Sequence, residues 1–324
     1  MHMADALVSP AVGTVMYAAS ATAIGYSLYR IKKEDKEDIL PVMGVMSAFV
    51  FAGQMVNFTI PGTGSSGHLC GGLMLSALLG PYAGFVSMAV ILLIQCLLFA
   101  DGGLMALGAN IWNMGFYGCF LGYYLIFRYV MRSKIKSVGT KITVASVLGS
   151  VISLQLGAFS VCIQTLCSGI TELPFTTFLG LMQPIHLAIG AVEGFITAAV
   201  LIFIYNVRPE LLDDNVRENR VSLKGTVVIL AIVTAFIGGG ASLLASSNPD
   251  GLEWSIAGIV EEEETEEEPI RTAILPDYAF KSDADNSMGT TVSGLLGSAI
   301  VAGCAILVYA GRKIIIVGNK SEKA

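Results

Sequence analysis

The sequence predicts an all-α fold, a polytopic transmembrane bundle of about nine helices. Three observations carry that expectation. Of the 324 residues, 54% are hydrophobic and only 14% charged, where soluble domains carry roughly 25% charged residues. Mean hydropathy is +0.71. Apolar runs recur at about the 20-residue length that a hydrocarbon core ~30 Å thick demands of a helix. Thirty-six glycines suit membrane helices, where small residues let backbones approach.

Taken in order, the candidate spans are 11–30, 40–58, 83–99, 104–129, 142–169, 181–206, 225–245 and 290–311. A shorter apolar stretch, 69–80, precedes Pro81. Positive charge sets orientation, because cytoplasmic loops accumulate Lys and Arg. Arg30, Lys32, Lys33 and Lys36 follow the first span. Arg128, Arg132, Lys134, Lys136 and Lys141 separate two later ones. Arg208, Arg217, Arg220 and Lys224 precede the span at 225, and Arg312, Lys313, Lys320 and Lys323 close the chain. These four clusters hold 17 of the 19 basic residues; only Arg271 and Lys281 lie elsewhere. For the clusters to share one side, residues 69–99 must cross twice. The N-terminus then faces outward and the C-terminus the cytoplasm, with outer segments at 1–10, 59–68, 100–103, 170–180 and 246–289. Ala19-Ser20-Ala21 imitates a leader cleavage site. The basic cluster after the span and the absence of basic residues before it mark a retained anchor instead.

Residues 1–206 form one seven-span module, 207–224 a polar cytoplasmic linker, and 225–324 a two-helix module around a long outer loop. That loop holds Glu261 to Glu264 and Glu266 to Glu268, a block that reads as solvated chain. A net charge of -6 argues against a nucleic-acid partner. The six cysteines include no CxxC pair, so a zinc ribbon or disulfide framework is not expected, and they read as small buried hydrophobes.

Chemistry concentrates near three histidines, His2, His68 and His186. The terminal amine of Met1, the backbone nitrogen of His2 and Nδ1 of His2 can chelate one metal. Amine and amide close a five-membered ring; amide and imidazole close a six-membered one. Tetragonal nitrogen donors favour Ni(II) or Cu(II). One place in the square stays open, and His68, on the same predicted side, is the imidazole to fill it. Cys70 offers a soft thiolate as a lesser candidate. Asn110 and Asn113 share one helical face and read as interhelical glue or as hydrogen-bond partners that orient a ligand imidazole. His186 and Glu193 stand two turns apart on one face and read as a buried structural pair. A hydrolase built on Ser65, Ser66 and His68, or a gradient-driven transporter or channel using His186 and Glu193, are the competing readings.

These motifs together resemble a known family. Met1-His2-Met3-Ala4-Asp5-Ala6-Leu7-Val8-Ser9-Pro10, Ser66-Gly67-His68-Leu69-Cys70-Gly71-Gly72, Ala109-Asn110-Ile111-Trp112-Asn113-Met114-Gly115 and His186-Leu187-Ala188-Ile189-Gly190-Ala191-Val192-Glu193-Gly194 are similar, in that order, to the cobalt/nickel substrate-binding subunits (CbiM/NikM) of energy-coupling factor transporters. Ala6 stands where that family usually has Gly, and Met3 where Ile is commoner. Pro249-Asp250-Gly251-Leu252-Glu253 resembles the signature of the two-helix accessory subunit (CbiN/NikN-like), here on the same chain. The resemblance implies capture of Ni(II) or Co(II) as substrate by Met1, His2 and His68, with Asp5, Ser66, Asn110 and Asn113 in support and no organic cofactor. It implies a multi-pass protein of a prokaryotic cell membrane. It also implies separate partners, a transmembrane coupling subunit and ATP-binding-cassette ATPases, and the chain has no Gly-x-x-x-x-Gly-Lys-Ser/Thr loop to cradle nucleotide phosphates itself. No enzymatic activity is expected.

Overall fold

The computed structural model describes residues 1–33, 39–212, 221–260, 273–280 and 287–321. The acidic block at 261–268, Arg271, Lys281 and much of the 207–224 linker lie outside them. Ten helices run through the described residues. They are α1 (Pro10–Lys33), α2 (Leu40–Gln54), α3 (Gly72–Leu79), α4 (Pro81–Phe99), α5 (107–131), α6 (Val138–Ser168), α7 (Phe175–Val207), α8 (Leu223–Gly239), α9 (Gly251–Ala257) and α10 (Ser287–Ser321). The protein is an all-α multi-pass membrane protein. Five helices, α4, α6, α7, α8 with its following turn, and α10, are long and apolar enough to cross a bilayer; α2 is apolar but shorter.

Helix boundaries follow local chemistry. Pro41 and Pro81 occupy the first turns of α2 and α4, where the missing N–H costs nothing. The hydroxyls of Ser137 and Ser222 cap α6 and α8, each accepting one of the amide hydrogens that a helix start leaves over. Most of α5, from Ile111 to Phe127, and the last turn of α4, Gln95–Phe99, are wound as π-helix, a winding often found at functional sites.

α6 and α7 form a long antiparallel pair, closely packed because Gly190 and Gly194 sit against the backbone of Val151 and Val147. A Cβ on Gly190 would lie 2.9 Å from Val151 Cα. α8 and α10 pack on each other and on α2, while Ile232 and Phe236 of α8 remain outward-facing where lipid would cover them. The first nine residues insert into the bundle, and Met1, Met3, Leu7 and Val8 are buried.

Four features depart from the sequence reading. Residues 69–99 contain one full-length helix, α4, and the eight-residue α3, only about 12 Å long. The chain nonetheless runs to the far end of α1 and back. Arg30 near the end of α1 donates to Tyr82 at the start of α4 at 2.8 Å, and the Leu98 carbonyl at the other end takes the Leu275 N–H. A two-stranded hairpin, β1 (Phe58–Ile60) with β2 (Ser65–Gly67), pairs antiparallel with Thr59 opposite Ser66. It turns through Gly62 and Gly64, both at positive φ. The short helix α9 was likewise unpredicted. Finally, His186 and Glu193 are not a pair: His186 Nδ1 donates to the Met182 carbonyl, and Glu193 accepts the amide hydrogens of Cys70 and Gly71. Two turns of helix separate them by about 11 Å, and each finds a nearer backbone partner.

Candidate metal centre

The N-terminal segment is held by its backbone. Asn110 in α5 accepts the Met3 N–H at 2.7 Å and donates to the Met3 carbonyl at 3.1 Å, while Gly103 N–H donates to the same carbonyl. Asp5 accepts the Ala106 N–H at 3.1 Å. Gly102, at φ +80°, lets the segment lie close; a Cβ there would sit 2.8 Å from Asn110 Nδ2 and 3.3 Å from His2 Cβ. Asn113 pairs reciprocally with Gln164 and touches the Met3 sulfur. The two asparagines therefore fix the main chain and side chain of Met3; neither touches an imidazole.

The segment bearing His68 is fixed from the other side. It runs from β2 to Gly71, whose φ of +83° opens α3. The buried Glu193 carboxylate takes the Cys70 and Gly71 amides at 2.9 and 3.1 Å, and Gln54 donates to the Cys70 carbonyl at 2.8 Å. Cys70 turns its sulfur to the Met114 carbonyl.

Between these two supports the terminal amine of Met1 lies 3.1 Å from His68 Nε2. His68 Nδ1 is 3.1 Å from the Leu69 carbonyl. A carbonyl only accepts, so Nδ1 carries hydrogen and Nε2 presents its lone pair to the amine. Two nitrogens 3.1 Å apart, each ~2.0 Å from one metal ion, subtend about 100°, close to neighbouring corners of a square. His2 stacks on His68 with ring centroids 5.2 Å apart. Its Nδ1, however, faces Asp101 Oδ1 at 3.1 Å and its Nε2 faces Gln95 Oε1 at 3.3 Å. Chelation through Nδ1 requires the ring to give up Asp101. Tyr278 donates to the other Asp101 oxygen at 2.5 Å, and Gln54 orients Gln95 by accepting from its amide at 2.8 Å.

One neighbour comes from far along the chain. Asp250 Oδ2 lies 2.5 Å from the terminal amine and 3.9 Å from His68 Nε2. Its other oxygen caps α9, accepting the Leu252 and Glu253 amides, and Glu253 returns the bond to the Asp250 N–H. Ser66 holds this corner to β2: its N–H and hydroxyl meet the Pro249 and Asn248 carbonyls, each at 2.8 Å. Burial pushes His68 down to about 3, helped by the terminal ammonium and by His2. Burial also lowers His2, against the pull of Asp101. Burial works to raise Asp250, but the ammonium and His68 outweigh it and hold the carboxyl below the usual range. His68 is thus kept neutral, the form that donates to metal.

Met1, His2 and His68 converge, with Asp5, Asn110 and Asn113 beneath them and Ser66 beside them. Among the described residues no three His, Cys, Asp or Glu side chains converge as a metal cage; the donors assembled here include main-chain nitrogen. Sequence reasoning missed Asp250, Asp101, Gln95 and the loop-holding role of Glu193. Asp250 had a legible signal, since Asp-x-x-Glu is a capping box. Nothing local linked it to a residue 249 positions away.

Two family models match the chain: the cobalt uptake substrate-specific transmembrane region over residues 2–211 and the PDGLE domain over residues 224–313. A protein of Archaeoglobus fulgidus, provisionally named as a fused nickel transport protein NikMN, is 34% identical over 96% of this chain and 99% of its own length. The fused nickel transport protein NikMN of Rhodobacter capsulatus is 28% identical over 94% of this chain and 96% of its own. A crystal structure described as a truncated transition metal transporter superposes with a TM-score of 0.56 at 30% identity. It covers 64% of this chain and 99% of that one.

Proposed function

Since this chain belongs to the cobalt uptake substrate-specific transmembrane family and carries a PDGLE domain on the same polypeptide, we propose that it captures Ni(II) or Co(II) at the outer face of a prokaryotic cell membrane. The relatives named as nickel and cobalt transport proteins support a membrane component of metal uptake. In this reading residues 1–206 form the capture module and 225–324 an accessory module, joined by the 207–224 linker. The N-terminus faces outward. A transmembrane coupling subunit and ATP-binding-cassette ATPases supply the transport energy.

The observation that carries the reading is the terminal amine held 3.1 Å from a neutral His68 Nε2. Loading sets the amine, the His2 amide nitrogen, His2 Nδ1 and His68 Nε2 around the ion. The ammonium and the amide each release one proton to water, His2 Nδ1 gives up its hydrogen so that the ring keeps one on Nε2 toward Gln95, and Asp101 and Asp250 lose their contacts with His2 and the amine. Four nitrogens in a plane suit Ni(II), and Co(II) can adopt the same set.

The test is a nickel titration of purified protein beside a variant with one residue inserted between Met1 and His2. The insertion keeps amine, imidazole and charge but breaks the five- and six-membered chelate rings. Tight binding should collapse, with loss of the d–d absorption of planar Ni(II). Unchanged binding would place the metal elsewhere.

A further inference from the structure

We propose that Asp250 is a first-contact ligand for the incoming metal, a carboxylate that the accessory module supplies and then withdraws as the nitrogen square closes. This rests on the capture reading above and adds to it a fifth donor, from outside the capture module.

Three donor atoms make a triangle: the terminal amine, His68 Nε2 and Asp250 Oδ2, with edges of 3.1, 2.5 and 3.9 Å. An ion ~2.0 Å from both nitrogens can lie within about 2 Å of Oδ2, the bonding distance of a carboxylate oxygen. No backbone movement is needed. The carboxylate is also fixed rather than swinging. Oδ1 is committed to the α9 cap, so Oδ2 alone is turned to the site, and Ser66 holds the 248–250 corner to β2. Amine, imidazole and carboxylate thus lie nearly in one plane with that ion, Oδ2 almost opposite Nε2 across it, and fill three places of the octahedron a hydrated divalent ion already has. The square requires the His2 amide to lose its proton and the His2 ring to leave Asp101. Those changes come after the ion arrives, so something must hold it meanwhile, and Asp250 is the anionic oxygen within reach. The accessory module grips the second chelate arm too, through Tyr278 on the Asp101 that faces His2. Once the four nitrogens close, a planar ion has no equatorial place for oxygen, and Asp250 is released.

Asp250→Asn separates the charge from the cap, because Asn caps helices about as well as Asp. The measurement is stopped-flow loading of the full chain in detergent with Ni(II) alone, followed by the d–d spectrum of the loaded protein and by thermal melting of the metal-free form. The expected result is a loading rate at least ~10-fold slower, the lower range of what removing a focusing charge does to association. The final spectrum should match the unsubstituted protein, while the metal-free form should melt lower, having lost the charge that pairs with the terminal ammonium. Asp250→Glu should recover much of the rate. Loading of Asp250→Asn at the original rate or faster would overturn the proposal and leave Asp250 a mere counter-ion of the amine. A shifted final spectrum would overturn it too, by making Asp250 a resident ligand. Failure of the unsubstituted protein to take up nickel would instead sink the capture reading itself.

Discussion

His68 shows how one side chain is given a single chemical task. The Leu69 carbonyl fixes its tautomer, the buried setting removes its charge, and the only direction left for its lone pair is the terminal amine. The sign of the resulting pH dependence can be worked out. Its folded value, about 3, lies below the ordinary 6.5. On acidification the unfolded chain binds a proton at His68 first, so stability is lost as pH falls from 6.5 toward 3. Asp250, held below its ordinary 3.8, acts in the same sense at the lower end, its contribution present above 3.8 and lost below. The metal-free protein should therefore melt at a constant temperature above about pH 7.5, by which point His68 would be neutral even when released. It should melt progressively lower from pH 6.5 to 4. A melting temperature that rises on acidification in thermal scans would contradict this assignment.

At the scale of elements, the site is a junction of pieces each too short to be stable alone. β1 and β2 are three residues long, α3 eight and α9 seven. Isolated helices of that length do not persist in water. They persist here because long helices reach over and satisfy them. Glu193 of α7 is the clearest case, a carboxylate bonded to two consecutive amides where the His68 segment becomes α3. Hydrogen bonds to a charged acceptor contribute about 1.5–3 kcal/mol each. Glu193→Gln keeps the shape but replaces one accepting oxygen with a donor facing an N–H. It should lower nickel affinity about tenfold or more by loosening the His68 segment, while leaving the spectrum of saturated protein unchanged. Titration and absorption on the same sample check both halves; an unaltered affinity would reduce Glu193 to a passive core residue.

For the whole molecule, two modules far apart in sequence share one site. α8 and α10 pack on α2, and from that seat Asp250 and Tyr278 reach the N-terminus. The chain should not accumulate nickel in liposomes alone, but should do so once a coupling subunit and its ATPases are added with ATP. Accumulation by the chain alone under an ion gradient would favour a secondary transporter. The sequence by itself determined that this is a helical membrane protein, because hydropathy and charge distribution are summed along the chain and need no partner. It also singled out Met1, His2 and His68, because chelate rings close between adjacent residues and a glycine-rich loop marks its own histidine. Asn110 and Asn113 were legible as one helix face, though not as a clamp on Met3. Only the tertiary structure decided that Glu193 serves the His68 loop instead of His186, that Asp101 holds the His2 ring, and that Asp250 stands between the amine and His68. A buried polar group takes whichever partner packing brings within 3 Å, and across 249 residues of chain no local pattern records which partner that is.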